Sequence, residues 1–558
     1  MRPRLSTARG GGSAPRPRAA FSSAVRSRPK PRPHGVHAGV GTLGSERLSE
    51  AAGSRPLKPV MPNRPQTFDY EPVVNLRRRV EDDDDAVETD PHDEVVALSN
   101  STGTRRTALP ASSPAESSLL LHGEAWGLGR GHAVSFAGFL AFTLVLYFRP
   151  QEYFPSLASA HIALVPAIFT LLAFFPSQLA AEGTLTARPR EVNLVLLLCA
   201  AALLSVPLAI DPPLAIGEFW DTCLKSALTF VFIINIVRTE RRLKLLLYLA
   251  VAVTFLLCLM AINDYRLGKL AVEGYRVEGN STSGMFENTN DLGVHLVTML
   301  PVALALAFSG RGLLRKVVFG ACATLTLVTI VLTFSRGAFL GLIASGAFLA
   351  WKFGRRNRLL VFGALAVAVV LFMVFAPGEY WIRVASIFNP SLDRFGSSQA
   401  RAGLLEHAIV SAIANPVFGL GLGNFPLTSA HGQVTHNAYM QVASELGFAG
   451  ALVYTMFVVA PLRRLRLIER ETFEARRSSK FYYLAVGLQA SLVAYMVSSF
   501  FVSVAFYLYI YYLVGYAVCL RRIYCAETAR VARDVEEREG AMDSSSLGGA
   551  RVSPLAGA

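Results

Sequence analysis

The stretch Ser397–Gly450 lies between two strongly apolar runs and gathers Arg401, Glu406, His407, His431, His436, Asn437 and Glu445 around a Gly419-Leu420-Gly421-Leu422-Gly423 turn. Arg336 stands apart from it, in the tight turn Phe334-Ser335-Arg336-Gly337 between two further apolar runs. Two kinds of chemistry suit these residue types. A guanidinium fork keeps its charge and matches phosphate oxygens bidentately. An imidazole titrates near neutral pH and takes the proton of an attacking hydroxyl. Arg336 and Arg401 are therefore candidates for holding an anion, and His436 for the base, with Asn424, Asn437 and Glu445 in support. No cluster of acids is placed to hold magnesium. The cysteines, Cys199, Cys223, Cys258, Cys322, Cys519 and Cys525, lie in or beside apolar runs without C-x-x-C spacing, so neither a zinc site nor a disulfide framework is expected. The expectation is no metal and no cofactor.

Plainer readings exist for each residue. Arg336 also reads as a helix-end arginine reaching for lipid headgroups. Arg401 also reads as the start of a solvated helix face, and His436 as an ordinary loop histidine. His407 and His431 have no motif partner, and Glu406 with Glu445 reads as a solvated face or as partners of a histidine or arginine more readily than as a carboxylate pair. The Gly-x-Gly-x-Gly turn lacks both the preceding strand and the spacing of a dinucleotide loop. Asn280-Ser281-Thr282 matches a glycosylation sequon that arises often by chance.

The elements that position these residues follow from composition. Hydrophobic residues make up 52% and charged residues 17% of the 558, more apolar and less charged than soluble chains. The class is a membrane protein. The net charge of +14 sits in an arginine-rich amino-terminal tail and in short loops, so it does not indicate nucleic acid. Apolar runs predict spans near 133–148, 161–181, 191–210, 219–237, 243–263, 290–309, 314–334, 337–353, 358–376, 447–465, 481–500 and 503–520, about twelve transmembrane helices in an all-α polytopic fold. Arginine and lysine fall in every second loop: Arg188 and Arg190; Arg238 to Lys244; Arg311 to Lys316; Lys352 to Arg358; and Arg463 to Lys480. Under the positive-inside rule those loops and both termini are cytoplasmic. Asp264–Glu287, the Arg336 turn and the long helical loop 377–446 then face outward, into the periplasm.

Within that loop, Arg401 to Ile413 predicts an amphipathic helix with Leu404, Leu405, Ala408, Ile409 and Ile413 on one face, ended by Asn415-Pro416. The domain expectation is a disordered cytoplasmic region 1–130, nine spans in 131–376, the periplasmic loop 377–446, three spans in 447–520 and a cytoplasmic tail 521–558. The first sixty residues are rich in Arg, Pro, Ser and Gly, and an acidic run follows at Glu81–Asp85; neither composition buries a core. No signal peptide follows Met1, and Met61 reads as the true start, with the segment before it resembling translated upstream sequence.

The outer face holds no ATP, so an enzyme there needs an already activated substrate, which a membrane-embedded one takes from the lipid phase. Here the residues reach a resemblance. Thr333-Phe334-Ser335-Arg336-Gly337-Ala338, Arg401 opening a helix, Asn415-Pro416-Val417-Phe418-Gly419-Leu420-Gly421, and His436-Asn437 followed by Gly447 after nine intervening residues resemble the O-antigen ligase and O-antigen polymerase superfamily. Asn288-Thr289-Asn290-Asp291 also resembles a family segment that often carries proline in place of Thr289. The likeness covers about Ala133 to Leu520, with its specific part in Ser335–Gly450.

The resemblance implies a metal-independent, inverting glycosyl transfer in the inner membrane, from an undecaprenyl-diphosphate-linked glycan to an acceptor hydroxyl on a glycan, on lipid A-core or on protein. It implies a role in O-antigen, lipopolysaccharide or exopolysaccharide biosynthesis. Oligomeric state is not readable. A transporter or flippase of lipid-linked saccharide is the rival, expected to show repeated halves and broken helices; neither is visible in the sequence. The residues also leave open an O-linked protein oligosaccharyltransferase and a non-catalytic membrane scaffold.

Overall fold

The computed structural model describes residues 132–148, 162–270, 286, 288–310, 312–354, 358–359, 361, 363, 378–392, 396–476 and 479–548. These form helices and connecting turns, with no strand among the described residues. The helices are α1 (Ala133–Phe148), α2 (Leu164–Glu182), α3 (Arg190–Ser205), α4 (Pro212–Glu218), α5 (Leu224–Ile236), α6 (Glu240–Arg266), α7 (Thr289–Ser309), α8 (Leu313–Leu332), α9 (Arg336–Gly354), α10 (Gly378–Phe388), α11 (Ser397–Ala414), α12 (Ala438–Glu471), α13 (Tyr482–Ser498) and α14 (Leu508–Gly548). Several of their starts carry side-chain caps. Asp211 accepts from the Leu214 N–H ahead of Pro212, Thr239 from Arg242 and Asn288 from Asn290, each satisfying a donor the helix leaves open.

Among the described residues, eight helices, or helix pairs read as one, are long and apolar enough to cross a membrane, and α1 and α2 are shorter apolar helices. The chain is a multi-pass membrane protein. Leu172 and Leu313 lie exposed on the outside of the bundle, as lipid-facing positions do. The core sits around α7, α13 and the first half of α14, each apolar on nearly every side and buried on nearly every side.

The expected span at 503–520 is the buried first half of α14. The expected span at 358–376 lies almost wholly outside the described residues, as do the amino-terminal region and the sequon. Both closely spaced pairs, at 334/337 and 500/503, are separate helices joined by turns.

At one end of the bundle, charged residues are paired. Lys352 donates to Glu469, which also accepts from Gln489. Arg521 grips Glu191 through two bonds of 2.7 and 3.2 Å. Arg238 meets Glu182 at 2.7 Å, and Lys480 meets Glu240 and Glu527 at 2.6 and 2.8 Å. Burial of the Lys352–Glu469 and Arg521–Glu191 charges is tolerable only because each has an opposite partner within bonding distance, whereas Lys480 stays partly exposed.

Candidate functional site

The opposite end carries Arg336. α8 stops where the Thr333 hydroxyl turns back onto the Ile330 carbonyl at 2.7 Å, and Phe334 follows with φ of 52°, a conformation that costs a non-glycine residue energy. Its buried ring packs 5.4 Å from that of Tyr380 on α10. Ser335 donates to the Asn290 side-chain oxygen at 3.0 Å, tying the turn to the start of α7. The half-buried Arg336 side chain reaches outward from there. Its Nη1 donates to Ser386 and Ser398 at 3.1 and 2.6 Å, and its Nη2 donates to Ser397 at 2.8 Å. Hydroxyls from α10 and from the first turn of α11 thus fix the plane of the fork.

Arg401 lies on α11, three residues beyond Ser398, and therefore on the same side of the helix one turn along. Its charge reaches His436. Burial, and then the Arg401 guanidinium, hold the His436 imidazole down at about 4. The ring is therefore neutral above that pH and free to accept a proton.

The backbone around His436 is itself held. His436 has φ of 51°. Before it, the Thr435 hydroxyl bonds the Asn437 carbonyl at 2.9 Å and Ser503 at 2.8 Å. After it, the Asn437 side-chain oxygen accepts from the Tyr439 and Met440 N–H groups and caps α12.

The glycines explain the long spacing of the motif. α12 is broken at Gly447, where φ is 73°. In an unbroken helix the Ser444 and Glu445 carbonyls would accept from Phe448 and Ala449. Here they accept from Leu420 and Gly421, at 2.8 and 3.0 Å, while the Phe448 N–H goes to the Pro416 carbonyl at 2.8 Å. The Asn415-Pro416 segment is thus stitched into the break. A side chain at Gly447 would meet the Pro416 carbonyl at 2.6 Å, and one at Gly419, with φ of 68°, would strike the Glu445 backbone. Only glycine suits both positions.

Asn424 is fully buried; its oxygen accepts from the Asp211 N–H at 2.7 Å and its amide donates to Leu422 at 3.0 Å. It fastens the glycine turn to the connection between α3 and α4. Glu445 is buried, takes a backbone hydrogen bond from Gly423, and has Oε2 without a hydrogen-bond partner.

Arg336, Arg401 and His436 are therefore brought to one end of the bundle around α11. Asn437 caps α12 next to His436, while Asn424 and Glu445 hold the glycine turn. His407 bonds Thr428 at 3.0 Å and its ring lies tilted 5.5 Å from that of Phe425, a packing role. Glu406 is exposed on α11 while Glu445 is buried, so the two occupy different environments. The side chain of His431 lies outside the described residues.

Three features differ from the sequence reading. α11 buries Leu404 and Ala408 with Ser411 and Ala412, but leaves Leu405, Ile409 and Ile413 exposed. Small residues at 408, 411 and 412 let α11 approach α12 closely, and this turns the larger apolar residues outward. α12 begins at Ala438, well before the apolar run that starts at 447, and it breaks at Gly447, so the expected span 447–465 is the part of α12 from that break onward. Ser386, Ser397 and Ser398 belong to no motif, and their one sequence signal is the Ser397-Ser398 pair one turn ahead of Arg401.

Residues 321–455 match the family model described as O-antigen ligase, an interval that holds Arg336, Arg401, His436 and the Gly447 break. No curated protein matches the sequence. Among solved structures, a chain from work on the structural coordination of polymerization and crosslinking by a peptidoglycan synthase complex is similar, with 18% identity and a TM-score of 0.36 over 59% of this chain and 96% of that one. Over residues 321–455, the chain is similar to the O-antigen ligase family.

Proposed function

We propose that this protein transfers or polymerises glycan from an undecaprenyl-diphosphate-linked donor on the periplasmic face of the inner membrane, in the biosynthesis of a cell-surface polysaccharide. The observation that carries this reading is the joint placement of Arg336, held by Ser386, Ser397 and Ser398, and of Arg401 one turn along α11, close enough to lower the pKa of His436. Two guanidinium groups beside a neutral imidazole suit a reaction that expels a diphosphate and takes up one proton.

In the reaction, the acceptor hydroxyl oxygen attacks the anomeric carbon as the bond from that carbon to the phosphate oxygen breaks. The electron pair leaves with the diphosphate, where Arg336 and Arg401 meet the developing charge. The hydroxyl proton passes to a His436 ring nitrogen. A single displacement of this kind inverts the anomeric configuration. The donor's own diphosphate strengthens the base, because it offsets the Arg401 charge that lowers the imidazole pKa. The reading needs no metal. Both termini lie in the cytoplasm, which the basic loops in every second connection support.

Ligase and polymerase share the donor and differ in the acceptor. A gel of surface glycans from cells lacking the gene, complemented with the natural protein or His436→Ala, separates them. Core plus one repeat in the deletion marks a polymerase, bare core with accumulated lipid-linked chains marks a ligase, and loss of exopolysaccharide alone marks a polymerase for that product. Full restoration by His436→Ala contradicts the proposed mechanism.

A further inference from the structure

We propose that the second half of α11 is immersed in the acyl chains of the membrane, at the end of the bundle that carries Arg336, and is not a helix of an aqueous loop. The inference rests on where its large apolar residues point, and it holds whatever reaction the site performs.

Around α11, the buried arc is Leu404, Ala408, Ser411 and Ala412, seated toward α12. The other arc carries Leu405, Ile409, Val410 and Ile413, and the turn beyond it adds Val417. Val410, Ile413 and Val417 are 58, 65 and 60% exposed, the same as Leu452, at 62%, on the apolar face of α12. A water-facing helix presents charge on that arc; here Glu406 is the one charged residue there, and it lies toward the amino-terminal half.

Continuity with the spans identifies what covers this face. The Phe448 N–H bonds the Pro416 carbonyl, which places Val417 beside the exposed stripe Phe448, Leu452 and Met456 of α12. On the other side, the Ile210 N–H bonds the Leu420 carbonyl, which joins the same surface to exposed Leu208 and Ile210 at the end of α3. α3 and α12 are long and apolar enough to cross a membrane, and their exposed apolar faces suit contact with lipid. The exposed face of α11 extends that belt without a polar break, so its occupant is the same: acyl chains, with Glu406 and the first turn rising to the headgroups. Anchored so, α11 holds Ser397, Ser398 and Arg401 at the depth of lipid phosphates.

The test places nitroxide labels on cysteines substituted singly at Ile409, Ile413 and Val417, with Leu452 as lipid reference and the exposed Ser391 as water reference. The full chain is used with Cys199→Ala, since the other native cysteines are buried, reconstituted in phosphatidylethanolamine and phosphatidylglycerol vesicles. Collision rates with oxygen and with a water-soluble nickel chelate are compared. The expected ratio of oxygen to nickel accessibility at all three sites lies within about twofold of that at Leu452 and several times above that at Ser391. A ratio like that of Ser391 places α11 in water and overturns the proposal. Low access to both reagents, as when a second copy or another protein covers the face, overturns it too.

Discussion

One helix, α9, carries a cation at each end, and the two are held differently. Lys352 is almost wholly buried, bonded to a Glu469 that is equally buried and further braced by Gln489. Arg336 is half-buried, and serine hydroxyls from two other helices orient its fork. A cation whose work is to pin helices together is sunk and neutralised in the same contact. On the proposed function, Arg336 is instead aimed toward a ligand by hydroxyls that fix the plane of its fork. The surrounding backbone differs in the same sense. The residues flanking Arg336 and forming the histidine turn include Phe334 and His436 at positive φ and the break at Gly447, whereas α9 runs into Lys352 as regular helix.

Substitutions at the two ends should separate stability from activity. Lys352→Ala leaves the Glu469 carboxylate buried and uncompensated, and should cost about 3–5 kcal/mol, read as a large fall in the thermal midpoint in detergent; Lys352→Met with Glu469→Leu should recover most of it. A single variant as stable as the natural protein would dissolve the contrast. Arg336→Ala should instead leave the midpoint nearly in place and slow transfer by about 10²–10³-fold. Arg336→Lys should fall between, because it keeps the charge and loses the planar fork. Asn437→Ala removes the cap of α12 and should cost about 1 kcal/mol, measured by unfolding, with a smaller effect on rate than Arg336→Ala.

The smallest effect is on pH dependence. In the proposed mechanism the base acts when unprotonated, and burial first and Arg401 second hold His436 down at about 4. The acid limb of kcat/KM should therefore lie well below the ordinary histidine range. Arg401→Gln removes the second cause and should move the limb upward, though not to 6.5, because burial remains. A limb that moves down, or stays put, contradicts the coupling.

Much of this was legible in the sequence. Apolar runs marked the helices that, among the described residues, are long and apolar enough to cross a membrane, eight where about twelve spans were expected. The histidine-asparagine to glycine spacing was legible as a pattern, and the structure gives its reason: Asn437 caps α12 and Gly447 breaks it. Two things were not legible. The Arg336 cradle joins residues some fifty and sixty positions away, Ser386, Ser397 and Ser398, and nothing local marks serine for that task. The apolar face of α11 was readable, but which half of it docks on α12 depends on the small side chains at 408, 411 and 412, whose partner is another helix.

The most direct test of the account is a single-turnover assay with the purified protein in vesicles, using lipid-diphosphate-linked glycan isolated from the same cells, comparing the natural protein with His436→Ala. The account predicts that donor binding is retained while the transfer step slows by about 10²–10⁴-fold, with an inverted product from the natural protein. An undiminished rate in His436→Ala, or a product that keeps the donor's anomeric configuration, would contradict it.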